Sequence, residues 1–122
     1  MDDHELVDLF DRELAVQPEG EAALVRLLDI AHRDSGQPRK VAAFLLGLYN
    51  GRRFPFNLTE LRNLDRDIFN DCIAVLKMDY RPAQDVHCYF KRGGAIFEQL
   101  ARDKDIPGAD WGKSAAPSSR PN

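Results

Sequence analysis

Apolar positions recur at helical spacing along most of the chain. Leu6, Val7, Phe10 and Leu14 share one face between Asp3 and Ala15, which predicts a short acidic amphipathic helix interrupted by Gln17-Pro18-Glu19-Gly20. Leu24, Leu27, Leu28 and Ala31 form the stripe of a second helix from Glu21 to about Arg33. Ser35-Gly36-Gln37-Pro38 then supplies a glycine stop and a proline start. From Val41 to Tyr49 the chain is apolar nearly all round, so residues 38–50 are read as a central helix surrounded by the others.

Asn50-Gly51 is expected to end that helix in the left-handed conformation both residues tolerate. Arg52-Arg53-Phe54-Pro55-Phe56 follows as an extended connection, because proline biases the residue before it away from helix. Asn57 can cap a short turn through Leu58, Leu61 and Leu64. Asp65 can start a helix to about Met78, with Ile68, Phe69, Cys72, Ile73 and Leu76 on one face. Arg81-Pro82 opens a further segment in which Val86, Tyr89 and Phe90 align. Gly93-Gly94 breaks it, and Ile96, Phe97 and Leu100 begin a last helix. The run Val86-His87-Cys88-Tyr89-Phe90 has strand propensity, but a single short strand would have nothing to pair with, so it is read as helix.

These elements predict an all-α fold: a compact orthogonal bundle of about six helices around the buried helix at 38–50. Three regions are expected: an acidic N-terminal helix at 1–16, a helical core domain at 20–104, and a flexible tail at 105–122 whose small, polar, proline-containing composition cannot order itself. Trp111 stands isolated in that tail, as a docking anchor or an aromatic folded back on its own domain. With 122 residues and 43% apolar content the chain can build one core without disulfide or metal staples. An acidic start, Met1-Asp2-Asp3-His4-Glu5, and no apolar run approaching ~20 residues argue for a cytoplasmic protein with no membrane partner. Cys72 and Cys88 are then expected as free thiols.

Charge changes the picture, because it is sorted along the chain although the total is only −3. Residues 1–36 carry ten acids against three bases, and residues 37–92 carry ten bases against six acids. Sorting of this kind concerns partners and not fold. It suggests that the acidic segment packs against the basic middle, within one chain or between two, unless both are simply solvated helix faces.

Three pairs of cations stand out. Arg52 and Arg53 lie among Tyr49, Phe54 and Phe56, where guanidinium groups can grip phosphate or carboxylate and stack on rings. The plainer reading is that the aromatics, Phe54 among them, pin the loop while the arginines sit in water. Lys91 and Arg92 precede Gly93-Gly94 at an expected helix start, which suits an anion, or else they complement the negative end of the preceding helix. Arg39 and Lys40 sit at a helix N-terminus, where the dipole disfavours them, which hints at a partner with acidic groups.

Catalytic and cofactor signatures are missing: there is no phosphate loop, paired-cysteine zinc spacing, metalloprotease helix or serine elbow. No cofactor and no metal is expected. His87 beside Cys88 invites a thiolate or metal reading, yet adjacent helical residues point about a hundred degrees apart and do not easily share one ligand. An enzyme built on His87, Cys88 and nearby carboxylates is the third-ranked reading. A helix-turn-helix is disfavoured, because the connection from Asn50 to Phe56 is too long.

From Asn57 onward, Leu58-Thr59-Glu60-Leu61, Leu64-Asp65, Phe69, Asp71-Cys72, Val75-Leu76, Arg81-Pro82, Val86-His87, Tyr89-Phe90, Gly93-Gly94 and Leu100-Ala101 carry a resemblance. They resemble a family of small uncharacterised proteins carried on plasmids and integrative elements of proteobacteria. That resemblance implies an accessory role in a mobile element, acting by binding, and no established activity. The expected function is therefore a non-enzymatic accessory or inhibitor protein that binds a macromolecular partner, as a monomer or homodimer. The partner is expected to be a protein, met through Arg39, Lys40, Arg52, Arg53, Phe54, Lys91 and Arg92. A nucleic-acid-binding regulator using the same basic residues is the alternative.

Overall fold

The computed structural model describes residues 3–34 and 36–109, apart from the side chains of residues 8–11. Its elements are α1 (Asp3–Ala31), α2 (Gly36–Tyr49), a 3-10 helix η1 (Leu58–Asn63), α3 (Arg66–Tyr80), a second 3-10 helix η2 (Val86–Tyr89) and α4 (Gly93–Asp103). No strand occurs among the described residues, and the fold is all-α. Among the described residues no helix is long and apolar enough to cross a membrane.

The first departure from expectation is α1, which runs without a break through Pro18. A proline inside a helix removes one hydrogen bond and crowds the preceding turn, at a cost of about 3 kcal/mol. Tertiary contacts offset it at the residues read as a break. Gln17 donates through Nε2 to the Tyr89 hydroxyl at 2.8 Å, and Gly20 is buried hard against Met78 of α3. Pro18 itself stays exposed. Beyond it Ala23, Leu24, Leu27, Leu28 and Ala31 carry the buried stripe, so the helix gains its stability from packing and not from local propensity.

The chain turns between Ala31 and Gly36, where the glycine and proline place the boundary, and enters α2. Pro38, Val41, Ala42, Phe44, Leu45 and Leu46 are buried there, and α2 touches α1, α4 and both 3-10 helices. Its end is built differently from the expected left-handed cap, since no described glycine has a positive φ. Instead the Asn50 N–H bonds to the Leu46 carbonyl, and Asn50 Oδ1 accepts from the Arg53 N–H at 3.2 Å. The asparagine side chain thus closes the turn that glycine geometry would otherwise close.

Asn57 caps η1 as its residue type suggests, accepting from the Thr59 N–H at 3.0 Å. Helix α3 lies along α1 and buries Cys72, Val75 and Met78. Phe69, expected on the inner face, is exposed, whereas Val75 and Met78 replace it because the α1 crossing at Gly20 draws that side of α3 inward. The Val86 segment is a single 3-10 turn, and α4 begins at Gly93. A Cβ at Gly93 would collide with the His87 carbonyl, so glycine is what lets α4 start against η2. Described residues of the C-terminal segment end at Ala109; Trp111 and the rest of the expected tail lie outside them.

Candidate functional site

Helix geometry separates the cation pairs. Arg39 and Lys40 are in the first turns of α2 and Arg52 and Arg53 follow its end. Ten residues of helix at 1.5 Å each put the backbones of Arg39 and Tyr49 roughly 15 Å apart, so the two pairs leave opposite ends of α2.

Half of the six cations in the three pairs are held by the chain's own groups. Arg39 donates through Nε and Nη2 to the carbonyls of Lys104 and Asp105, both at 3.1 Å, where α4 ends. Lys40 pairs with Glu60 of η1 at 3.3 Å. Arg53 grips Glu98 of α4 with two bonds, Nη1 to Oε2 at 2.5 Å and Nη2 to Oε1 at 3.0 Å, and its guanidinium lies 4.8 Å from the centre of the buried Phe54 ring. The Tyr49 hydroxyl also donates to Glu98, at 2.6 Å. The Arg53 and Tyr49 hydrogen bonds hold the Glu98 carboxyl down at about 2, and the bond to Glu98 pushes the Tyr49 hydroxyl up. Phe54 and Tyr49 stack at 6.5 Å, which ties the loop to the core as the plainer reading had it.

Arg52, Lys91 and Arg92 are exposed, and among the described residues their side chains make no hydrogen bond or ion pair. Arg92 has φ 60, a left-handed conformation at the position preceding α4. The Tyr49 ring meets the His87 ring at 5.0 Å, and His87 packs under Gly93, so these three cations belong to one end of the bundle.

The larger concavity lies elsewhere, between the first half of α1 and the last turns of α3. Val16, Ile73, Leu76, Met78 and Tyr80 supply its apolar surface; Arg12, Lys77 and Arg81 put three cations on it against one acid, Glu13. Its volume is about 800 Å³. Beside it the N-terminal turns of α1 leave Leu6, Val7 and Leu14 exposed at 60%, 55% and 60%. Of the acidic segment itself, Arg12, Glu13 and Val16 line this concavity, on the same continuous helix.

A model of a family of unknown function, DUF7673, matches residues 21–105. The chain belongs to that family. No curated protein and no solved structure matches it. The DUF7673 match takes in α2, α3, α4 and the C-terminal part of α1, and leaves the acidic turns before Glu21 outside. Arg52, Lys91, Arg92, Lys77 and Arg81 all fall within the part shared with the family, whereas Arg12 does not.

Sequence reasoning missed Glu98, which neutralises Arg53 from 45 residues away, and the cations Arg12, Lys77 and Arg81. No local pattern marks Glu98. The other three were legible as charges but not as neighbours, since α1 and α3 meet only in the folded chain. The structure also differs at His87 and Cys88. Their Nε2 and Sγ atoms are 3.6 Å apart although the two residues are adjacent on the 3-10 turn.

Proposed function

We propose that this protein is a non-enzymatic binding module whose groove between α1 and α3 receives an acidic amphipathic helix from a protein partner. The observation that carries the reading is the pairing of an apolar floor with three cations, Arg12, Lys77 and Arg81, against the single acid Glu13. An acidic helix with one apolar stripe complements both features, burying apolar area while its carboxylates meet the rim. The resemblance of the segment from Leu58 to Ala101 supports a setting in the bacterial cytoplasm as an accessory protein of a mobile element.

The test uses a fluorescent peptide of residues 1–16 of this chain, which has the required acidic, amphipathic character, titrated into the full-length protein. Binding is expected, weakened at least tenfold (~1.4 kcal/mol) by Lys77→Glu/Arg81→Glu and lost with a scrambled peptide of the same composition. Equal binding of the scrambled peptide, or none of either, overturns the reading. Light scattering accompanies it: a monomer is expected, and a dimer abolished by the same charge reversals would assign the groove to a second copy and not to a separate partner.

A second reading rests on Arg52, Lys91 and Arg92, which are exposed and, among the described residues, unpaired at one end of the bundle. They suit phosphate, and a nucleic-acid regulator would use them. Oligonucleotide affinity should then fall with salt with a log–log slope of about −2.7 for three neutralised phosphates. Salt-independent or absent binding removes this reading.

A further inference from the structure

The turn between α3 and α4 gathers three different metal-binding donors. A carboxylate oxygen of Asp85, a ring nitrogen of His87 and the thiol of Cys88 all lie within 4.8 Å of one another. The Cys88 Sγ to His87 Nε2 distance is 3.6 Å. A tetrahedral zinc ion, with bonds of about 2.3 Å to sulfur and 2.0–2.1 Å to nitrogen, sets those two atoms about 3.6 Å apart. One edge of a coordination tetrahedron is thus already in place.

The donors are held by the fold. Gly93 packs on the His87 backbone, and the Tyr49 ring meets the imidazole edge-on. Asp85 occupies the capping position before η2, yet its carboxylate makes no capping hydrogen bond and is left available. Among the described residues Asp85 has no ion pair. A carboxylate without a cation, beside an imidazole and an exposed thiol, is a donor set suited to a divalent cation.

We propose that Asp85, His87 and Cys88 bind one zinc-class divalent transition-metal ion per chain, with a water or a partner's group as the fourth ligand. Sulfur and imidazole donors select zinc, cobalt or a similar borderline ion over magnesium and calcium, which take oxygen ligands. Binding through Nε2 leaves the proton on Nδ1, which is buried without a hydrogen-bond partner. Affinity is accordingly expected to be roughly 10–100-fold below that of a site where the second ring nitrogen is supported. The site is independent of the α1–α3 groove.

The test titrates Co²⁺ into the reduced, metal-free, full-length protein. One equivalent should produce a thiolate-to-cobalt charge-transfer band and the intense visible bands of tetrahedral Co²⁺, and Zn²⁺ should displace both. Cys88→Ser, at an exposed position, should abolish the charge-transfer band with the helical circular dichroism unchanged. Asp85→Asn should weaken binding about tenfold or more, and Cys72→Ala should keep the band. A missing band, a band that survives Cys88→Ser, one metal ion shared by two chains, or undiminished affinity in Asp85→Asn would each overturn the three-ligand site.

Discussion

Arg39 and Lys104 cap each other's neighbourhoods. The Arg39 guanidinium donates to the carbonyls of Lys104 and Asp105 at the end of α4, while the Lys104 ammonium donates to the Arg33 carbonyl just past the end of α1. Two helix C-termini, each carrying partial negative charge, are met by cations from other elements: the end of α4 by Arg39 of α2, and the end of α1 by Lys104 from the end of α4. A cation at the N-terminus of α2 is locally unfavourable, and Arg39 is held there by the chain's own carbonyl oxygens.

Replacing Arg39 by alanine should therefore destabilise the protein by about 1 kcal/mol, because the bonds are charge-assisted but solvent-exposed. Arg39→Lys should recover only part of this, since an ammonium cannot fork onto two successive carbonyls. Urea unfolding of the three proteins measures it; equal midpoints would show that these bonds contribute nothing.

The Arg53–Glu98–Tyr49 cluster should make stability acid-sensitive. Glu98 has a folded value of about 2, below the usual ~4.3 of an unfolded glutamate. A depressed carboxylate stabilises the fold above the unfolded value, and the contribution disappears as pH falls from about 4.5 to about 2. The side chains of Arg53 and Glu98 are 40% and 32% exposed, so solvent screening reduces the effect to about 1–2 kcal/mol. Wild type and Glu98→Gln should differ by that amount at pH 7 and converge near pH 2 in thermal unfolding. A constant difference across the range would place the effect elsewhere.

Gly20 should resist substitution although it lies in a helix, where alanine is ordinarily the better residue by about 1 kcal/mol. A Cβ there would run into Cβ, Cγ and Sδ of Met78, and the first of these cannot swing away. Gly20→Ala is expected to destabilise by about 1–3 kcal/mol as α1 and α3 are forced apart. Gly36→Ala, with nothing within 4 Å of the added atom, should stay within about 0.5 kcal/mol of wild type.

The two thiols should separate cleanly by reactivity. Cys72 is fully buried, and burial, reinforced by the charge of Asp71, pushes its thiol up to about 12. Cys88 is exposed. A thiol reagent at pH 8 should label one cysteine per native chain and the second only on unfolding. Labelling of both at one rate would mean that the α1–α3 layer opens freely.

The pattern of apolar residues by itself determined that the chain is helical, that Asn57 caps a turn, that glycine and proline separate α1 from α2, and that α2 is surrounded. Those features depend on neighbours within a few residues, where spacing and residue type suffice. Tertiary structure alone decided that α1 continues through Pro18, because Tyr89 and Met78 hold the residues on either side of it. It likewise decided that Arg53 is neutralised by Glu98 and Arg39 held by the end of α4, while among the described residues Arg52, Lys91 and Arg92 have no partner. A charge is visible in sequence, but its partner lies 45 to 66 residues away. Whether a cation is structural or available depends on that distant contact, which only the packed helices bring about.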